Sequence, residues 1–149
     1  MKYNLKQQED PYFCIPACLQ AILEYHNLNL TQKEIARRIN CMQKGVFNLR
    51  PVQDFMETKG FRFYYVNWNE ISNDSRDTFL EINKDEHILV CIPNNCDGRH
   101  GLLLEDFKDP LLYVIDPMDV KIHELDLYKL TNQMRYKNDG GFGLVSKLE

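Results

Sequence analysis

The chain has 149 residues, of which 44% are hydrophobic, 27% charged and 11% aromatic, with a formal net charge of −4 at pH 7. That length suits one ordinary domain, residues 1–149, able to bury about 70% of its unfolded surface without cross-links. The acidic balance and the scatter of its basic residues argue against a surface that tracks phosphates, so nucleic acid is not an expected partner. No run approaches the ~18 apolar residues of a membrane span, and the polar start from Met1 to Asp10 lacks a signal peptide's apolar core. A cytoplasmic location is therefore expected. The five cysteines (14, 18, 41, 91 and 96) are expected as thiols in a reducing compartment, and their odd number leaves at least one unpaired within the chain.

Helical periodicity predicts a first helix over residues 14–25, with Cys18, Ala21, Ile22 and Tyr25 on one face. Pro16 fits a helix only in its first turn, where the missing N–H has no helical partner, so the helix starts at Cys14. Thr31 and Glu34 form a capping-box pattern, with Leu30 and Ile35 at the staple positions, and open a second helix. A third runs from Pro51 to Gly60, where a residue without Cβ suits a left-handed C′ position. Val52, Phe55, Met56 and Lys59 share one of its faces.

Strand-like segments follow at 61–66, 88–92, 101–107, 112–115, 121–125 and 142–147. Short helices are expected at 77–82 and 127–136. Asp109-Pro110 and Asp116-Pro117 mark turns, and Gly140-Gly141 reads as a flexible break. Helices first and strands after predict an α+β fold, a helical half packed on an antiparallel sheet.

The chemistry-bearing residues are spread along this plan. A cysteine is mostly thiol at neutral pH, and a helix N-terminus favours its thiolate. Cys14 has that position by sequence, whereas Cys18, one turn further in, reads as core. Taken alone, Cys14 would more often be a small buried hydrophobe. His100 and Asp116 lie on consecutive strand segments joined by Lys108-Asp109-Pro110-Leu111. A hairpin centred there sets Asp116 opposite residue 101, 102 or 103, which makes His100 a cross-strand or diagonal neighbour.

A carboxylate so placed would accept the imidazole N–H, fix its tautomer and stabilise the imidazolium. Separately, His100 reads as a loop histidine and Asp116 as a turn residue before proline; the pairing favours chemistry over both. Gln7 and Gln8 each offer a side-chain N–H that, with the Cys14 backbone N–H, would hold a tetrahedral oxyanion. Composition does not separate the two from each other or from a solvated arm. His87 reads as structural, His26 as a cation suited to a helix C-terminus, and His123 as a surface strand residue.

Gln8-x5-Cys14-Ile15-Pro16-Ala17-Cys18-Leu19 with its apolar helix, followed by His100 and Asp116-Pro117, resembles the bacteriocin-processing, or double-glycine leader, peptidases, a papain-like cysteine peptidase group. Thr31…Glu34-Ile35-Ala36 and Val52…Gly60-Phe61 fit the same group, so the resemblance covers nearly the whole chain. It implies a papain-like fold and cleavage through a thioester acyl-enzyme, often after two glycines of a leader. By position it implies Cys14 as nucleophile, His100 as base, Asp116 as orienter and Gln8 as oxyanion donor. It implies a peptide or protein substrate; no cofactor or metal is expected, and, with no transporter segment in the sequence, any export transporter is expected as a separate partner. One departure stands out. Ile15 occupies a position where the group usually has glycine, and its β-branched side chain is expected to crowd the primed side of the cleft.

Three other readings share these residues. The same thioester chemistry serves deamidation or acyl transfer. A binding module would hold leaders without cutting them, which the joint presence of Cys14, His100, Asp116 and Gln8 disfavours. A zinc centre would use Cys91, Cys96 and His100, or Cys14 and Cys18, but neither cysteine pair has the usual two-residue gap.

Overall fold

The structure is a computed structural model and describes residues 1–46, 48–71, 75–94, 98–134 and 140–148. Helices α1 (Cys14–Tyr25), α2 (Gln32–Arg38) and α3 (Arg50–Thr58) precede β1 (Phe61–Asn67), α4 (Arg76–Asn83), β2 (His87–Asn94), β3 (Gly98–Lys108), β4 (Leu111–Asp116), β5 (Lys121–Asp126), α5 (Leu127–Met134) and β6 (Gly141–Lys147). The strands form one antiparallel sheet in the order β1-β6-β2-β3-β4-β5. This is the expected α+β arrangement. Cys96 of the zinc pattern lies outside the described residues.

Alternation along the strands divides the core in two. Leu89, Cys91, Leu103, Ile115 and Val145 face α1–α3, whereas Val90, Leu102, Leu104, Val114 and Phe142 pack with Trp68, Leu80, Leu127 and Leu130 on the other side. Helix α1 is buried from Cys14 to Leu23, because its residues are apolar nearly all round and it lies between the sheet and α2. Tyr25, expected on the buried face, is 51% exposed, since it falls beyond that buried stretch. Thr31 caps α2 as expected, its Oγ1 accepting the Glu34 N–H at 3.0 Å. Gly60 ends α3 at φ +89°, the left-handed C′ conformation.

Gly140-Gly141 is not a flexible break. A Cβ on Gly140 would lie 2.8 Å from the Trp68 ring, and one on Gly141 would lie 2.4 Å from the Val66 carbonyl oxygen. The pair is glycine because ring and backbone approach too closely for any side chain.

The β3–β4 hairpin carries the feature that positions the site. Lys108, Phe107 and Asp106 face Leu111, Leu112 and Tyr113, whereas Leu104 and Leu103 face Val114 and Ile115, so Glu105 is an extra residue in β3. Continuing the shifted pairing sets Asp116 across from Leu102, which makes His100 its diagonal neighbour on the same face. Without the bulge Asp116 would face residue 103, and His100 would point to the opposite side. The Lys2 backbone N–H donates to Glu105 Oε1 and ties the N-terminal segment to the bulge.

Candidate active site

Cys14 is the first residue of α1, and the N-cap residue Phe13 offers no side-chain cap. The amides of the first turn are thus left to other acceptors. The backbone N–H groups of Cys14, Ile15 and Gly101 all act on the Cys14 thiol, the last across a gap of 3.4 Å. Gly101 follows His100 in β3, so the His100 Cα lies within roughly 6 Å of the sulfur. Cys18, fully buried as expected, donates its S–H to the Gly101 carbonyl at 3.6 Å. The two thiols of α1 therefore grip both sides of one glycine in β3.

His100 Nε2 lies 3.0 Å from Asp116 Oδ1, with both side chains mostly shielded from solvent. A carboxylate can only accept, so Nε2 carries the hydrogen, and in the neutral ring the lone pair is then on Nδ1. The same Asp116 oxygen accepts the Met118 N–H at 2.9 Å, and the Asp116 carbonyl accepts from Val120 at 2.7 Å. Val120 closes this turn at φ +59°, a costly conformation for a β-branched residue. The carboxylate is held by a tight, strained turn.

Gln8 lies against that turn, its backbone N–H donating to the Pro117 carbonyl at 2.9 Å. Its side-chain amide donates to the carbonyls of Asp10 at 3.0 Å and Pro11 at 3.3 Å, in the loop that leads into Cys14, while Oε1 is buried without a partner. Gln7 diverges from it, its exposed amide donating to the Met118 carbonyl at 2.8 Å.

Ile15 does not crowd the cleft. It is 1% exposed, and a Cβ on Gly101 would lie 2.8 Å from its Cγ1. The side chain turns into the core, and Gly101 is the complement that lets α1 and β3 meet. Sequence reading missed Gly101; the available signal was a glycine inside a strand pattern, next to a candidate base.

Electrostatics also depart from expectation. Burial pushes the Cys14 thiol up, the N–H groups of Gly101, Ile15 and Cys14 pull it down, and the Asp116 carboxylate pushes it up again. The net direction is up. The helix N-terminus acts as expected but is outweighed by burial.

The remaining histidines form a separate group. His87 is buried, with Nδ1 2.6 Å from the Tyr3 hydroxyl and Nε2 2.7 Å from His26 Nε2. Burial, helped by Lys2 and His26, lowers His87 to about 4. His26 is likewise lowered, by burial and by Lys147 and Lys2, so it is not the helix-end cation expected. His123 is exposed and lies 2.8 Å from Asp119.

Among the described residues no helix is long and apolar enough to cross a membrane. No curated protein matches the chain in sequence. Solved structures match its fold along nearly its whole length. The peptidase domain of Streptococcus ComA, a bifunctional ABC transporter involved in quorum sensing, matches with a TM-score of 0.67 at 18% identity, covering 99% of both chains. A double glycine motif protease from an AMS/PCAT transporter, solved in complex with the leader peptide, matches at 0.70 and 15% identity, covering 99% of this chain and 92% of that one. A C39-like peptidase from Bacillus anthracis matches at 0.68 and 11% identity, covering 97% and 95%. The peptidase C39 family matches residues 2–134, and on that match the chain belongs to this family and is a cysteine peptidase.

Proposed function

We propose that Cys14, His100, Asp116 and Gln8 carry out peptide cleavage by acyl transfer, and that the substrate is a leader peptide cut after a double glycine. The observation that carries the reading is the 3.0 Å contact between His100 Nε2 and Asp116, one residue from the Gly101 N–H that reaches the Cys14 sulfur. His100 Nδ1 takes the thiol proton as the sulfur attacks the scissile carbonyl. Burial pushes the Cys14 thiol up, which favours His100 as a base that takes the proton during attack. The Cys14 N–H and one Gln8 amide hydrogen hold the oxyanion. The Gln8 hydrogen comes from the longer of its contacts, that to Pro11 at 3.3 Å. The imidazolium, steadied by Asp116, returns its proton to the departing amine, and water then hydrolyses the thioester by the reverse proton path.

The double-glycine specificity is supported by the relative that is a double glycine motif protease solved with its leader peptide. Transporter association is supported by the two relatives that come from ABC or AMS/PCAT transporters. In this reading residues 1–149 act as one peptidase domain in the cytoplasm, working with an export transporter. The test is incubation with a double-glycine leader peptide and mass spectrometry of the products. The expected result is two fragments meeting after the second glycine, absent with Cys14→Ala. A single product with an amide converted to acid would overturn cleavage in favour of deamidation.

A further inference from the structure

A hollow of about 300 Å³ beside the proposed site is lined by Gln7, Gln8, Glu9, Asp10, Pro11 and Met118. We infer that this hollow is the leaving-side subsite of the peptidase and that it selects a basic residue directly after the scissile bond. The inference rests on the roles proposed above for Cys14, His100 and Asp116.

Direction comes from the proton path. His100 gives its proton to the departing amine, so the departing chain runs across the imidazole and past the carboxylate that orients it. The turn bearing Met118 begins at that carboxylate, and Gln8, the proposed oxyanion donor, forms the facing wall. Met118 is fixed at both backbone groups, its N–H on Asp116 Oδ1 at 2.9 Å and its carbonyl on the Gln7 amide at 2.8 Å. Its side chain is nevertheless 60% exposed, an unusual state for a large apolar group on so rigid a turn.

Chemistry comes from the walls. Met118 and Pro11 offer apolar contact to an alkyl stem, and a thioether adapts to stems of different shape. Glu9 and Asp10 give the lining two acidic residues, and among the described residues no lysine or arginine lines the hollow. The nearby Lys6 is paired with Glu24 at 3.7 Å. An apolar stem with a cationic end is the side chain of lysine or arginine.

The test offers the wild-type protein a library of double-glycine leader peptides that carry each amino acid in turn after the second glycine, and identifies the new N-termini by mass spectrometry against an untreated control. Lys and Arg should be enriched about three- to tenfold as the first residue of the new termini, the range expected of one or two solvent-exposed charge pairs. The enrichment should shrink as salt is raised. It should fall toward one in the Glu9→Gln/Asp10→Asn double variant, which keeps side-chain size and the oxygen that accepts the Tyr12 N–H at 3.0 Å. Cuts that depend on Cys14 but show no cationic enrichment would overturn the subsite alone, as would enrichment unaffected by salt and by the double variant. Cuts that persist in Cys14→Ala would overturn the proposed nucleophile, and a library left uncut would overturn both.

Discussion

Replacing Gly101 by alanine puts a methyl group 2.8 Å from Ile15 Cγ1. Ordinary carbon–carbon contacts lie near 3.5–4.0 Å, so α1 and β3 must separate by up to about 1 Å or Ile15 must leave its rotamer. Overpacking of this kind costs about 1–3 kcal/mol, offset by ~0.4–1 kcal/mol because alanine restricts the unfolded chain. A net loss of about 1–2 kcal/mol lowers the melting temperature of a 149-residue chain by roughly 2–8 °C.

Separation also withdraws the Gly101 N–H from the Cys14 sulfur, which it approaches to 3.4 Å. A hydrogen bond to a charged group contributes about 1.5–3 kcal/mol, so kcat/KM should fall by roughly tenfold or more. Ile15→Ala alone should destabilise by about 2–4 kcal/mol through a cavity. In the double variant the new methyl occupies part of that cavity, so its loss should be smaller than the summed single losses by about 1–2 kcal/mol. Thermal and urea melts of the four proteins measure this coupling. Additivity within about 0.5 kcal/mol would refute the Ile15–Gly101 contact. Unchanged kcat/KM in a destabilised Gly101→Ala would refute the role of its N–H.

Thiol reactivity should follow the electrostatics: burial pushes Cys41 up to about 12 and Cys18 well above its usual value, so iodoacetamide should alkylate Cys14 ahead of both, at a rate that climbs with pH. Peptide mapping that finds Cys41 modified ahead of Cys14 would contradict this. Asp116→Asn should lower kcat by roughly 10- to 1,000-fold with KM nearly constant, because the orienter acts on the transition state, while Asp109→Asn on the same hairpin stays near wild type; wild-type kcat in Asp116→Asn would reduce the site to Cys14 and His100. His87, lowered from 6.5 to about 4 in the fold, binds its proton more readily when unfolded, so its contribution is present above pH 6.5 and is lost as pH falls toward 4. Melting curves at pH 7.5 and 5 should show a loss on the order of 2 kcal/mol, smaller in His87→Gln; equal pH dependence in the two proteins would show that His87 is not the group responsible.

Local signals in the sequence determined the start of α1 at Cys14, the Thr31 cap, the Gly60 stop, the strand segments and the hairpin centred on Asp109-Pro110. Each is set by residues within a turn or two, where propensity, capping and proline geometry decide the conformation whatever the rest of the chain does. Those signals sufficed to bring His100 near Asp116 within a residue. They could not show that Glu105 is an extra residue in β3, although that bulge decides whether imidazole and carboxylate share a face. Strand periodicity alone does not reveal where a register shifts; packing on both sides of the sheet does.

The same reason accounts for the other departures. Ile15 turns inward because Gly101 leaves room for it, and Gly140-Gly141 are packed against Trp68 and Val66. Gln8 rather than Gln7 lies in the loop before Cys14, because its backbone is bonded to Pro117, far along the chain. The Cys14 thiol is pushed up rather than down, since burial is a property of everything that surrounds a residue. Residue types and their order named the chemistry; the long-range contacts across α1, β3 and the turn after Asp116 set its geometry and charge.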